Sequence, residues 1–172
     1  MHQLFLLRHA KAEAGIGSLS DHERALTAKG REDAGKIAHV MRKAGLAPEV
    51  VLVSTATRTR QTLEELQNAS VWDEWPNIDE LPQLYMATLP QLLNTIRDLP
   101  ETVRSALIIG HNPGLNELAL RLAGGARSGA CGQRLDEGYP PATLSEFLVA
   151  GRWRQAGEDT TSLKRFLRAS DC

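Results

Sequence analysis

Cysteine is nearly absent. The 172 residues hold two, Cys131 in a Gly-rich stretch and Cys172 as the last residue. Two thiols do not make a disulfide framework, and neither has metal-ligand spacing. They read as free thiols of a reducing compartment, so a cytoplasmic protein is expected. Aromatics are sparse, with Phe 3, Trp 3 and Tyr 2, too few for platforms that stack nucleic-acid bases. Neither sign of charge dominates: 20 Lys and Arg against 21 Asp and Glu leave a net charge of −1. A general nucleic-acid binder would show a basic excess, so no nucleic-acid partner is expected, although a local basic pocket for an anion fits this balance. No apolar run approaches the ~18 residues that a membrane helix needs. The apolar patch at 4–7 is followed at once by Arg8 and His9 and is too short for a signal peptide. No membrane partner is expected.

Apolar residues make up 42% of the chain, enough for a globular core. The length fits one domain over 1–172. Short continuous apolar runs at 4–7, 50–53 and 106–109 have the pattern of strands buried on both faces of a parallel sheet. Helical patterns alternate with them. Ala34, Ile37, Ala38 and Met41 keep helical spacing and stop at Gly45. Leu63 and Leu66 predict a helix over about 57–69. Leu89, Leu92, Leu93, Ile96 and Leu99 form a one-sided stripe, with Thr88 as its cap, Pro90 in its first turn and Pro100 after its end. Leu115, Leu118, Ala119 and Leu122 form another, ended by Gly124 and Gly125. Runs at 143–149 and 162–167 around a polar turn read as a late antiparallel hairpin. The stretch 124–141, rich in Gly, Arg and Pro, reads as a long loop. The expected fold class is therefore α/β, a three-layer sandwich. It has a mostly parallel central sheet, helices on both faces and a C-terminal antiparallel hairpin.

Three short motifs each follow an apolar strand: Arg8-His9-Ala10-Lys11, the run from Ser54 to Thr62 that contains Arg58, and Gly110-His111-Asn112-Pro113-Gly114. In open α/β sheets the ligand site lies beyond the carboxyl ends of the strands, which places His9, Arg58 and His111 on one rim. Arg8 and Arg58 would raise the cost of a bound cation, so a metal site is poorly supplied; their forked guanidinium groups suit a tetrahedral oxyanion. Asn112 is placed to cap a helix whose N-terminal N–H groups favour an anion. The constellation reads as a phosphate pocket with two imidazoles, one able to attack phosphorus and the other able to stabilise transferred charge. Ser54 and Thr55 read as helix caps, Lys11 as a solvated lysine at the entrance. His22 and His39 read as surface residues, His2 as a strand-start residue, and Trp72, Trp75 and Trp153 as packing or cover residues. Arg24, beside Asp21 and Glu23, either reaches the phosphate rim or pairs with one of those carboxylates.

These residues resemble the histidine phosphatase superfamily, and within it the small phosphohistidine phosphatases of the SixA type. The resemblance is carried by "LFLLRHAKAE" at 4–13, "SDHERALTAKGREDA" at 20–34, "VSTATRTRQTLEEL" at 53–66, "LYMATLPQLLNTI" at 84–96 and "ALIIGHNPGLNELALRLAG" at 106–124. It continues more weakly through the hairpin with Trp153. It implies that His9 is a nucleophile phosphorylated on one ring nitrogen, that Arg8 and Arg58 bind the phosphoryl oxygens, and that His111 is the second pocket histidine. It also implies no metal and no organic cofactor.

The branch that acts on sugar and glycerate phosphates has Gly where this chain has Ala10. It carries an Asn shortly beyond the nucleophile, absent from 11–19 here. It also has a Glu acid soon after the strand that follows the second-arginine helix. The comparable stretch here, 81–85, has no carboxylate, and the nearest acid candidate is Glu80. An alkoxide leaving group needs a proton; an imidazole leaving a phosphohistidine is far less basic. The expected function is thus a phosphatase that uses a histidine nucleophile and a phosphohistidine intermediate to dephosphorylate phosphohistidine on a phosphotransfer protein. The expected partner is a phosphorylated histidine-containing protein or a small phosphorylated substrate. Two alternatives stand beside this reading: a small-molecule phosphomonoesterase of the same mechanism, with Glu80 or Asp21 as acid, and a non-catalytic phosphate-recognition module.

Overall fold

A strand buried on both faces must feed two helical layers at once, because successive side chains point to opposite sides of a sheet. The computed structural model describes residues 1–124 and 129–172. It has strands β1 (His2–Arg8), β2 (Val50–Ser54), β3 (Asn77–Leu81), β4 (Ser105–Gly110), β5 (Thr143–Val149) and β6 (Thr161–Arg168). These form one sheet in the order β3-β2-β4-β1-β5-β6. The first four strands run parallel, while β5 pairs antiparallel with β1 and β6 antiparallel with β5.

Phe5 and Leu7 of β1, with Val51, Val53, Leu107 and Ile109, face one side. There they meet Ile37, Met41, Leu63 and Leu66 from α1 (Ala28–Lys43) and α2 (Thr57–Asn68). Leu4 and Leu6, with Leu52, Ala106 and Ile108, face the other side. Their partners are Leu92, Ile96, Leu115, Leu118 and Leu135 from α3 (Leu89–Arg97), α4 (Gly114–Ala123) and α5 (Ala130–Asp136). Each fully buried aliphatic side chain contributes roughly 1.5–3 kcal/mol, so the central strands anchor both layers. The three-layer sandwich and the antiparallel hairpin agree with the sequence pattern.

The helix boundaries follow local chemistry. Thr27 Oγ1 accepts from the Gly30 N–H at 2.9 Å and caps α1. Gly45 follows it at φ +64°, a left-handed conformation that costs glycine little. Thr88 and Gln91 form a capping box on α3, with Pro90 in the first turn. Two elements differ from the sequence reading. β3 is an edge strand with mostly solvent-facing side chains, so it lacks the continuous apolar run that marks β1, β2 and β4. The stretch 124–141 is not all loop: it contains α5, and its residues 125–128 lie outside the described residues.

Two glycines of α1 should respond oppositely to alanine. A Cβ on Gly30 would sit 2.1 Å from the Lys11 carbonyl oxygen, whereas one on Gly35 meets nothing within 4 Å. Gly30→Ala is expected to destabilise by about 1–3 kcal/mol or more through overpacking against backbone. Gly35→Ala should stabilise by roughly 0.5–1 kcal/mol through helix propensity. Urea midpoints that move in opposite directions, with unchanged m-values, check this pair.

Candidate active site

The parallel register aligns the strand ends: Arg8 pairs with Gly110, and Val53 with Ile109. The residues after β1, β2 and β4 therefore emerge on one rim. The His9 N–H donates to the Gly110 carbonyl at 3.1 Å, and the His9 carbonyl accepts from Ala142 N–H at 3.1 Å. Thr62 of α2 holds the next residue, accepting from Ala10 N–H at 3.0 Å. These bonds clamp the turn that carries His9.

The His9 ring is fixed in one tautomer. Its Nδ1 lies 2.7 Å from the Ala10 carbonyl, which can only accept, so Nδ1 carries the proton. Its Nε2 accepts from Arg58 Nε at 3.3 Å, leaving a lone-pair nitrogen beside a guanidinium. Burial, reinforced by the Arg58, Arg8 and Arg24 cations and opposed by the Ala10 bond, pulls the His9 pKa down to about 4. At neutral pH the ring is uncharged.

Arg58, in the first turn of α2, is only 2% exposed. Its NH1 donates to the Asp21 carbonyl at 2.6 Å and its NH2 to Asp21 Oδ2 at 3.0 Å. Asp21 sits in a 3-10 turn, Asp21–Glu23, closed by a Ser20–Glu23 capping box. Its Oδ1 also takes Arg24, from Nε at 3.0 Å, and its Oδ2 takes the Tyr85 hydroxyl at 2.5 Å. The Tyr85 bond and Arg58 hold this carboxyl at a pKa of about 2, so it stays ionised.

His111, just beyond β4, places its ring centroid 5.3 Å from that of His9. Burial, then His9 and Arg58, lower its pKa to about 3, against the opposing pull of Asp21. Its Nε2 is 2.7 Å from Ser54 Oγ. Arg8 is anchored from the far end of the chain: its NH1 donates to the Tyr139 carbonyl at 2.9 Å, which also accepts from Asn112 Nδ2 at 2.9 Å. The Tyr139 hydroxyl bonds to the Leu6 carbonyl at 2.8 Å and to Ser145 Oγ at 2.7 Å. Burial raises its phenol pKa well above the ordinary value.

These groups open onto a cavity of about 330 Å³ lined by Arg8, His9, Lys11, Ala12, Asp21, Arg24, Arg58, Met86, His111, Asn112 and Pro141. Among the described residues four cationic side chains and one carboxylate line it, a composition suited to an anion. Among the described residues no group of three or more His, Cys, Asp or Glu side chains is arranged to hold a metal. Both readings of Arg24 hold together, since it pairs with Asp21 and lines the cavity. Lys11 is exposed and also lines it. Glu80 requires correction as an acid candidate: it is absent from the lining, and its Oε2 lies 2.6 Å from Arg60 NH2. Asn112 does not cap α4, because its side chain turns to Tyr139 and Pro113 occupies the cap position. Ser54 and Thr55 do not cap α2 either. Ser54 bonds to His111, and Thr55 Oγ1 bonds to His22 Nε2 at 2.9 Å. His22 is thus half-buried, edge-on to Tyr85 at 4.8 Å.

The model of the histidine phosphatase superfamily (branch 1) matches residues 4–84. An uncharacterized chloroplastic protein of Arabidopsis thaliana is 31% identical over 166 residues, covering 90% of this chain and 76% of that one. This chain belongs to the histidine phosphatase superfamily. A candidate phosphohistidine phosphatase SixA from Agrobacterium tumefaciens has the same fold, with a TM-score of 0.82 and 28% identity over 96% of this chain and 97% of that one. The protein histidine phosphatase SixA complexed with tungstate superposes with a TM-score of 0.76 at 22% identity, covering 98% of both chains.

His9, Arg58 and His111 line one cavity, on the common rim where the strand-end motifs put them. Tyr85, Ser54 and Tyr139 were not read as site residues, and Asp21 was read only as an alternative acid, because their contacts are distant in sequence. The displacement of the two histidines makes stability pH-dependent. Above pH 6.5 His9 is neutral both folded and unfolded and contributes nothing. Between the ordinary value of 6.5 and about 4 only the unfolded chain takes the proton, so stability decreases as the pH is lowered. The shift corresponds to about 3 kcal/mol at its limit. His9→Gln should flatten the fall in unfolding free energy between pH 6.5 and 4, measured by urea denaturation at each pH.

Proposed function

We propose that this histidine phosphatase removes the phosphoryl group from phosphohistidine on a phosphotransfer protein, with His9 as nucleophile. Phosphoryl transfer needs mainly positioning and charge neutralisation; on this reading Arg8 and Arg58 bind the phosphoryl oxygens, with Arg24 at the rim. His9 Nε2 attacks phosphorus in line. The P–N bond of the substrate breaks, its electron pair returns to the substrate nitrogen, and a neutral imidazole leaves when its other nitrogen carries a proton. Water then attacks phospho-His9, releasing inorganic phosphate and restoring the lone pair. His111 stabilises the equatorial oxygens as charge develops.

The observation that carries the choice of substrate is the state of Asp21. It is the one carboxylate among the described residues lining the cavity, it accepts from Arg58, Arg24 and Tyr85, and its pKa is about 2. It has no proton to give an alkoxide, whose departure requires one. An imidazole that already carries its proton needs none. The SixA neighbours support the same substrate class, and the free thiols of Cys131 and Cys172 support a reducing, cytoplasmic setting. On this reading residues 1–172 act as one domain.

The test is phosphate release from a phosphohistidine substrate and from an alkyl phosphate, side by side. The wild type should turn over the phosphohistidine and leave the alkyl phosphate, and His9→Ala should abolish release. Arg58→Ala should lower kcat/KM by about 100-fold or more, as expected for losing a donor to developing charge. Alkyl phosphate turnover lost in Asp21→Asn would install the phosphomonoesterase reading instead. Phosphopeptide binding that survives His9→Ala, with no release by the wild type, would install a recognition module.

A further inference from the structure

Ser54 ends β2 with its side chain fully buried. Its hydroxyl has two neighbours among the described hydrogen bonds. The Ala56 N–H approaches Oγ at 3.4 Å as a donor, and His111 Nε2 lies 2.7 Å away. A hydroxyl has one proton to donate. Ala56 supplies a proton rather than accepting one, so the Ser54 proton is directed at Nε2. A ring nitrogen that accepts is unprotonated, and in a neutral imidazole the proton is then on the other nitrogen. That nitrogen, His111 Nδ1, is buried without a hydrogen-bond partner among the described residues, on a ring that lines the cavity beside His9.

We propose that Ser54 is a positioning residue that holds His111 in the Nδ1–H tautomer, so that an uncharged imidazole presents a hydrogen-bond donor to the phosphoryl oxygen. The inference rests on the phosphatase reading, in which His111 meets the transferring group. It explains how a histidine kept neutral can still stabilise an oxyanion. With the opposite tautomer, the Nδ1 lone pair would confront the phosphoryl oxygens, and the ring could donate only after taking up a proton. That proton is disfavoured by the groups facing the ring. Arg8 and His9 at the end of β1 and Arg58 in α2 oppose it, while Asp21 from the 3-10 turn favours it and the Tyr85 edge lies 5.4 Å away.

The test has two parts. First, 15N NMR of the imidazole nitrogens in the wild-type protein near pH 7 should show His111 protonated at Nδ1 and unprotonated at Nε2. The opposite assignment overturns the proposal whatever the activity. Second, Ser54→Ala should lower kcat by about 10- to 100-fold with a smaller change in KM. In Ser54→Ala the 15N shifts of His111 should lose the Nδ1–H preference and move toward the Nε2–H tautomer. Ser54→Thr, which keeps the hydroxyl, should restore both the tautomer and the rate. A Ser54→Ala enzyme that keeps the Nδ1–H tautomer with the wild-type rate, or a loss that Ser54→Thr does not repair, overturns the proposal. If the wild type released no phosphate from phosphohistidine while the NMR gave the Nδ1–H tautomer, the substrate reading would fall and the tautomer assignment would stand.

Discussion

A buried guanidinium must have its charge and donors met inside the protein, and Arg58 sets that requirement here. It is 2% exposed, and leaving such a group unpaired costs about 3–5 kcal/mol. The bonds that meet the requirement also build the pocket. Asp21 supplies a carbonyl and a carboxylate, which fixes the 3-10 turn against the start of α2. His9 supplies a ring lone pair, which fixes the end of β1 against the same helix. Arg24 and Tyr85 then join through Asp21. One ion thereby ties together segments at 9, 21, 58 and 85 that share no local sequence relation.

The same cations decide the chemistry of the imidazoles. Burial alone disfavours a protonated histidine, and Arg8 and Arg58 nearby disfavour it further. The chain as a whole is close to neutral, with a net charge of −1, yet among the described residues four cationic side chains and a single carboxylate line this cavity. Concentrating positive charge in one place draws in an anion and at the same time keeps a ring nitrogen unprotonated. On the proposed mechanism, one electrostatic device both holds the phosphoryl group and keeps the attacking nitrogen of His9 unprotonated.

Much of this was readable from residue order alone. The continuous apolar runs of β1, β2 and β4 each end in a polar motif, and parallel strands bring such ends to one rim, so His9, Arg58 and His111 were legible before any coordinates. Thr88, Pro90 and Gly45 marked helix ends because capping and left-handed turns are local events. β3 was not legible: Ile78 and Leu81 are its only apolar residues, which is enough for an edge strand and too little for a pattern. α5 is seven residues long with Leu135 as its main anchor, below the length at which a stripe can be recognised. Asp21 looked like a partner for the neighbouring Arg24 because its other partners, Arg58 and Tyr85, lie 37 and 64 residues away. Ser54 looked like a helix cap for the same reason, since His111 is 57 residues downstream.

Arg8 takes its anchor from the carbonyl of Tyr139, 131 residues further along the chain. Tyr139 is itself bolted to Leu6 and Ser145, and β1 completes its second edge only by pairing with β5. During synthesis on the ribosome the strand that leads to His9 thus emerges well before β5 and waits. Until Tyr139 and β5 have followed, Arg8 has no seat and β1 has an open edge. A competent pocket is therefore a late event in the life of the nascent chain. A partly made copy holds His9 without the seated Arg8 of the finished pocket.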